Sequence, residues 1–436
     1  MSPVTTAPPQ LTAADAQLRH QYLAEVLDLL YPAPCSLTGE GPHRVAEYLV
    51  VPHARRPKLL IPMGSRRVAA AAVRRFAEPQ TRMAKLKRDV VVAALRTGAW
   101  PALLRDRVRI NAPSPQADTI DNYLEQHLQA ALSISIHIGP ARANRKPVLQ
   151  LLTSTGRTYG FAKLGTGPLT RRLVRAETAA LTALSHIDLR EVVVPSVLHT
   201  GQWHGHQVLV QSALPIWRPR VPLSPERLTA AMLEVAHACG TTRGWLATSP
   251  YWADLRNRLV QVGDHPDGAP LVEAARILID RSGDVPLTYG AWHGDWAPWN
   301  MATVAGSPAE RSEAPGAGHA SSAGSEPDRA DVLVWDWERF TPGVPMGFDA
   351  LHYELQRRVQ HDSDARACVA DLVTQAPTLL EPFDVVPDGR EVTALLYLVD
   401  LATRYLADRQ AEAGARLGVL GTWLLPVLID RVRRLA

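Results

Sequence analysis

The sequence predicts an α+β protein whose two halves differ in kind. Residues 131–214 read as short antiparallel strands, and residues 215–436 read as mostly helical. Three observations carry this. Ile134-Ser-Ile-His-Ile138 alternates apolar and polar residues, and Pro147–Leu152 and Tyr159–Leu164 follow across short turns, as strands of a meander do. The runs 224–239, 252–262, 268–281, 391–409 and 417–434 repeat their apolar residues at helical spacing instead. The chain has 436 residues, 46% hydrophobic and 21% charged, which supplies a sizeable core and excludes a disordered, collagen-like or disulfide-stapled protein.

Taken in order, residues 1–15 read as a frayed Pro/Thr/Ala tail and Leu18–Leu30 as a first helix. Tyr48–Val51 and Lys58–Ile61 form a strand pair turning through Pro52–Pro57. Two Ala/Arg-rich helices, 66–78 and 80–97, break at Pro79, and 118–131 is a further helix with Asp118 placed to cap it. After the meander come a helix over 170–184, the short run Val192–Val194, and a hairpin of Ser196–His199 and His206–Gln211. Residues 305–330 are rich in Gly, Ala, Ser, Pro and Glu, and are expected to form a disordered insertion between the hairpin arms Met301–Val304 and Val332–Val334. The expected domains are an N-terminal α/β addition (1–130), a mainly β part (131–214) and a helical part (215–436).

The formal net charge of +4 is modest for this length and does not argue for a specific nucleic-acid partner. It is unevenly spread, for residues 55–109 carry 15 Arg or Lys and three acids. That basic N-terminal region is either a surface for an anionic partner such as lipid headgroups, or a pair of arginine-decorated helices solvated outside and alanine-packed inside. The interleaving of charged and apolar residues favours the second. Cys35, Cys239 and Cys368 form no CxxC pair, so neither a zinc site nor a disulfide framework is expected, and Cys239 and Cys368 read as inert core residues on helices. The start lacks a basic-then-apolar leader and no run reaches about 18 apolar residues, so a cytoplasmic protein without a membrane span is expected.

The residues that carry chemistry lie in Ala291-Trp-His293-Gly294-Asp295-Trp-Ala-Pro-Trp-Asn300 and Val332-Leu-Val-Trp-Asp336-Trp-Glu338. Phosphoryl transfer asks a protein chiefly to position the acceptor and to neutralise charge. A carboxylate beside the acceptor hydroxyl can orient it and take its proton. A carboxamide and a second carboxylate can hold Mg²⁺, a hard ion that prefers oxygen ligands. Asp295, Asn300 and Asp336 supply those groups, two from one loop and the third from the end of a following strand.

HGDxxxxN, followed by a strand ending in apolar-Asp-x-Glu, resembles the aminoglycoside phosphotransferase and choline kinase-like superfamily over roughly residues 130–436. The resemblance implies a bilobal protein kinase-like fold, with an antiparallel-sheet N-lobe and a mainly helical C-lobe, to which residues 1–130 are an addition. It also implies ATP- and Mg²⁺-dependent phosphorylation of a small-molecule hydroxyl. By position, Asp295 resembles the catalytic base, Asn300 and Asp336 the Mg²⁺ ligands, and His293 a loop-bracing histidine. Lys163, in Tyr159-Gly-Phe-Ala-Lys163, resembles the lysine that contacts the ATP α/β-phosphates, and Glu177 resembles its ion-pair partner. Gln211–Leu214, including Ala213, resembles the hinge whose backbone meets adenine, and Asp349 resembles the aspartate that braces the catalytic loop.

The chain departs from the pattern in places. Gly139-Pro-Ala-Arg-Ala-Asn-Arg-Lys146 has one glycine where the superfamily has a glycine-rich loop. Either Arg142, Arg145 or Lys146 serves the phosphates, or this is a solvated hairpin tip. No GxxxxGK[ST] occurs, so P-loop chemistry is not supported. Glu338 either helps a second metal or only faces the cleft. Trp296 and Trp299 offer either a platform for a sugar face or cation, or packing around the loop. His352 and His361 read as ordinary surface or capping histidines. No activation segment ending in Ala-Pro-Glu lies between Asp336 and Asp349, which favours a sugar, aminocyclitol or amino alcohol acceptor over a protein. A catalytically weak kinase-like binding protein is the alternative from another class, and a protein kinase the third.

Overall fold

The computed structural model describes residues 13–37, 41–76, 82–139, 142–306, 330–413 and 417–435. The tail before 13, Pro79 and most of the 305–330 insertion lie outside the described residues. The chain divides into two compact units, 1–174 with 197–213, and 175–196 with 214–436.

The first unit is built on one eight-stranded antiparallel sheet. Its strands are β1 (His43–Val51), β2 (Leu59–Pro62), β3 (Arg107–Ala112), β4 (Ser133–His137), β5 (Val148–Leu152), β6 (Thr158–Gly165), β8 (Val197–Trp203) and β9 (His206–Ser212), in spatial order β3-β1-β2-β4-β5-β6-β9-β8. Val192–Val193, named β7, is not among them and belongs to the second unit. The expected boundary at residue 130 falls inside this sheet. Leu59 and Leu60 of β2 pair with His137 and Ile136 of β4, and Ser135 Oγ donates to the Leu60 carbonyl at 2.8 Å. Residues 43–112 thus share a sheet with the meander. β3 was not expected, because Arg-Val-Arg-Ile-Asn-Ala is short and sits in a basic stretch that reads as helical.

Period-2 alternation sorts the sheet's side chains onto two faces. Tyr48, Val50, Leu60, Ile136, Leu149 and Leu151 pack under helix α1 (Ala13–Leu30), which contributes Tyr22, Leu23, Val26 and Leu27. Leu49, Leu59, Ile61 and Leu152 face α2 (Arg66–Phe76) and α3 (Arg82–Thr97). α2 buries Val68, Ala69, Ala70 and Ala72 and leaves Arg66, Arg67 and Arg74 exposed. Small alanines let the helix approach the sheet closely. Thr119, not Asp118, caps α4 (Ile120–Leu128), accepting from the Asn122 N–H at 3.3 Å. Asp118 instead accepts from Trp203 Nε1 at 2.9 Å and is paired with His204 at 2.8 Å.

The second unit holds two three-stranded sheets and most of the helices. α5 (Pro168–Leu184) enters it at residue 175. One sheet is β10 (Thr242–Trp245), β11 (Pro286–Trp292) and β14 (Thr341–Pro345), with β11 central; the other is β12 (Met301–Ala305), β13 (Ala330–Val334) and β7, with β13 central. β12 and β13 are the expected antiparallel arms, in the register Met301↔Val334, whereas β7 joins β13 in parallel. The helices are α6 (Pro225–His237), α7 (Pro250–Val262), α8 (Gly268–Ser282), α9 (Phe348–His361), α10 (Ala365–Leu379), α11 (Pro387–Ala407) and α12 (Leu424–Arg434). α11 is buried from Val392 through Thr403, as expected of a helix that is apolar all round. Among the described residues no helix is long and apolar enough to cross a membrane. Cys368 is buried as expected, but Cys239 is exposed, because α6 ends before it at His237.

A chain beginning at residue 131 would lose the β2–β4 pairing and the α1 cover over Ile134, Ile136, Leu149 and Leu151. Exposed apolar edges of this kind drive aggregation. Such a chain is expected to be insoluble or to lack a cooperative thermal transition; a soluble monomer that melts cooperatively would contradict the shared sheet.

Candidate active site

Within the second unit, the loop 293–300 leaves β11 and delivers the chain to β12. Its neighbour, the loop 335–340, leaves β13 and delivers it to β14. The β12–β13 register sets both loops at one end of the hairpin, and the Trp335 N–H donates to the Asn300 carbonyl at 3.1 Å. Backbone pairing alone therefore places Asn300 beside the start of the Asp336 loop.

His293 ties the two loops together. It is fully buried, and burial drives its pKa down to about 4, so the ring is neutral. The Asp295 N–H donates to Nδ1 at 3.1 Å, which leaves the proton on Nε2, facing the Trp335 carbonyl at 3.1 Å. Trp337 packs edge-on to the ring at 4.6 Å. Trp296 and Trp337 are themselves fully buried, with indole N–H groups directed at Met301 Sδ and the Val334 carbonyl. Trp296 is packing, and Trp299 is the exposed indole of the loop.

Asp349, in the first turn of α9, accepts the N–H of His293 at 2.7 Å and of Gly294 at 3.1 Å. Burial pushes its carboxyl up to about 7 in spite of those donors. Gly294 has φ +83°, and a Cβ there would collide with the Arg339 carbonyl, so the two loops cross where only glycine fits. Arg339 is ion-paired with Asp408, and Arg404 Nη1 donates to the Gly294 carbonyl at 2.5 Å.

Asp295 has a side chain one-third exposed. Its Oδ2 accepts from Asn300 Nδ2 at 3.0 Å, and the same amide also donates to the Asp295 carbonyl at 2.9 Å. Its Oδ1 faces His352 Nε2 at 3.1 Å. Desolvation raises the Asp295 carboxyl, but the hydrogen bond from His352 and the Arg404 guanidinium outweigh it and hold the group below the usual carboxylate range. His352 is no surface residue: it is fully buried on α9, with Nδ1 3.0 Å from the Tyr397 hydroxyl. His361, at the end of α9, is exposed.

Asp336 carries φ +73°, a left-handed conformation that a non-glycine residue adopts at some strain. Asp336, Glu338 and Glu177 each present a carboxylate oxygen within 4.8 Å of the other two. Three converging carboxylates with a carboxamide one loop away form an all-oxygen donor set of the kind Mg²⁺ takes, so these residues fit that ion. Glu177 is thus a neighbour of the Asp336 loop.

The other expected site residues belong to the first unit. Lys163 is buried on β6, between Val148 of β5 and Leu209 of β9. Gln211 is buried on β9 opposite Phe161, and Ala213 is the last residue before the chain passes into the second unit. Arg142 is exposed in a turn closed by the Arg145 N–H to its carbonyl at 3.1 Å. Arg145 lies 3.7 Å from the centre of the Tyr22 ring, committed to a cation–π contact. Residues 140–141 of the glycine-poor loop lie outside the described residues.

No protein-family model matches the chain, and no curated protein matches it. Among solved structures it is similar to a putative fructosamine-3-kinase from Haemophilus somnus 129PT, at 14% identity over 72% of this chain and 96% of that one, with a TM-score of 0.39. It is also similar to spectinomycin phosphotransferase APH(9)-Ia, solved with ADP and spectinomycin, at 10% identity over 71% of this chain and 96% of that one, with a TM-score of 0.36.

The Asp349 carboxyl yields a pH dependence. A raised folded-state pKa contributes stability that is complete below the unfolded value of 3.8 and is lost as the pH rises through about 7. Urea midpoints of the protein and of Asp349→Asn should therefore be compared from pH 5 to 8. The parent is expected to lose stability relative to the variant as the pH rises; a constant difference would contradict the assignment.

Proposed function

We propose that the chain is an ATP- and Mg²⁺-dependent phosphotransferase that moves the γ-phosphoryl group to a hydroxyl of a small molecule such as a sugar, aminocyclitol or amino alcohol. The observation that carries this reading is the placement of Asp295, Asn300 and the Asp336 loop at one end of the β12–β13 hairpin, held by the Trp335–Asn300 backbone bond.

In this reading Asp295 orients the acceptor hydroxyl and takes its proton as the new oxygen–phosphorus bond forms. The bond from the γ-phosphorus to the bridging oxygen breaks, and ADP leaves. The lowered Asp295 pKa keeps the base ionised at neutral pH. Asn300 and Asp336 would hold Mg²⁺, with Glu338 and Glu177 as the adjoining oxygen donors. Bound there, the ion would neutralise charge on the phosphate oxygens. Lys163 supplies an ammonium to the α/β-phosphates, Arg142 a further cation, and the backbone of Gln211–Ala213 the contact to adenine.

The small-molecule preference rests on β14. The stretch between Asp336 and Asp349 forms a strand paired to β11, in the register Tyr289↔Pro345, Gly290↔Val344 and Trp292↔Thr341. It is spent on the sheet and leaves no platform for a peptide. The engagement of Arg145 with Tyr22 supports a second reading, a kinase-like binding protein of weak turnover. Mg²⁺-dependent ATP consumption against a library of sugars and amino alcohols separates the two. Turnover with one acceptor supports the first, and Mg-ATP binding without turnover supports the second.

Two substitutions test the roles. Asp295→Ala is expected to lower kcat by about 10²–10⁴-fold while leaving Mg-ATP affinity nearly intact, and an unchanged kcat removes Asp295 from the chemistry. Asp336→Ala is expected to shift the Mg²⁺ titration to much higher concentration; an unmoved titration removes it from the metal.

A further inference from the structure

We propose that His352, itself set by Tyr397, is a positioning residue for Asp295, holding the carboxylate in one orientation so that it meets the acceptor hydroxyl. The proposal rests on the reading of Asp295 as the base.

The argument begins with hydrogen-bond accounting. Both ring nitrogens of His352 face protein groups: Nε2 lies 3.1 Å from Asp295 Oδ1, and Nδ1 lies 3.0 Å from the Tyr397 hydroxyl. The ring is fully buried, edge-on to Trp292 at 6.5 Å and to Tyr397 at 6.0 Å, so water does not compete. An ionised carboxylate only accepts. The proton between Asp295 and His352 therefore sits on Nε2. Burial favours the neutral ring, which leaves Nδ1 to accept from the Tyr397 hydroxyl. One tautomer satisfies every group, and Tyr397 selects it.

The consequence falls on Asp295. A free aspartate rotates about two side-chain bonds. Here Asn300 grips Oδ2 from within the loop, at 3.0 Å, and His352 grips Oδ1 from α9. Two donors on two oxygens fix the carboxylate plane, while each oxygen keeps a second lone-pair site for the substrate. The two grips differ in origin. Asn300 moves with the loop, whereas His352 stands on a helix whose first turn also carries Asp349, the acceptor for the N–H groups of His293 and Gly294. Backbone and side chain of the loop are thereby referred to the same rigid element. Misplacing a reacting group by about 1 Å costs on the order of 100-fold in rate.

The experiment has two arms. In steady-state kinetics, His352→Leu keeps the bulk and removes the donor, and is expected to lower kcat on the order of 100-fold while Mg-ATP KM stays within a few-fold. His352→Gln, whose amide reaches the Nε2 position, is expected to restore most of that loss. A folded His352→Leu with near-parental kcat, or a Gln variant as impaired as Leu, overturns the proposal. Should the Leu variant fail to fold, Tyr397→Phe takes its place, with a smaller kcat loss expected and no loss counting against the proposal. In the second arm, ¹⁵N imidazole spectra of the whole protein read the His352 tautomer without any acceptor. The neutral Nε2–H form is expected, and an Nδ1–H form or an imidazolium overturns the proposal. Absence of turnover in the parent protein together with the Nε2–H form would instead count against the phosphotransferase reading alone.

Discussion

Asp349 accepts two successive backbone N–H groups, those of His293 and Gly294, from the first turn of α9. Those N–H groups lie at a sharp bend, where the backbone cannot pair with a strand, and unpaired buried donors are costly. The carboxylate resolves that cost and thereby fixes where β11 ends and the loop begins. From this point the rest of the site follows by short covalent steps. Gly294 turns with positive φ under the Arg339 carbonyl, Asp295 comes next, and Asn300 closes the loop by donating back to Asp295. His293, one residue before the turn, reaches the Trp335 carbonyl and carries the constraint into the second loop.

The site is also an exercise in managing like charge. Asp336, Glu338 and Glu177 crowd their oxygens together, and Asp295 lies near enough to Asp336 to feel its charge. Arg339 and Arg404 lie within electrostatic reach of Asp295, and each is anchored, to Asp408 and to the Gly294 carbonyl. Cations with fixed partners act as preorganised charge, which stabilises anions without having to reorient when they arrive. A divalent ion among the carboxylates would complete the balance.

How much of this was legible in the sequence depended on how local the signal was. Asp295 and Asn300 are five residues apart, in one loop, and their spacing alone marks them. Asp336 is legible because it ends a strand whose partner strand starts beside Asn300. His352 was passed over because its partners, Asp295 and Tyr397, stand 57 and 45 residues away, on elements that meet only in the fold. A helical register places His352 one turn after Asp349, and that was the one available hint. Tertiary packing also sets Glu177 beside Asp336 and Glu338, a proximity that no sequence spacing announces. In the first unit, alternation revealed β4 to β6. It did not reveal that β1 to β3 continue the same sheet, because strand pairing across 75 residues leaves no periodic trace. Asp118 and Thr119 compete for the same cap, and the threonine takes it while the aspartate serves Trp203 and His204.

The order of that sheet also bears on how the chain is made. β3, β1 and β2 can pair as soon as residue 112 is available, but β2 then ends in an open edge whose four residues are all buried in the finished protein. Its partner β4 follows some 75 residues behind it. From Ala112 to the end of β4 at His137 the chain grows by 25 residues, so at about 5–20 residues per second of translation the nascent polypeptide carries this uncapped apolar margin for roughly 1 to 5 seconds. During that interval only the ribosome surface, a chaperone or the early helices α2 and α3 stand between it and a neighbouring chain.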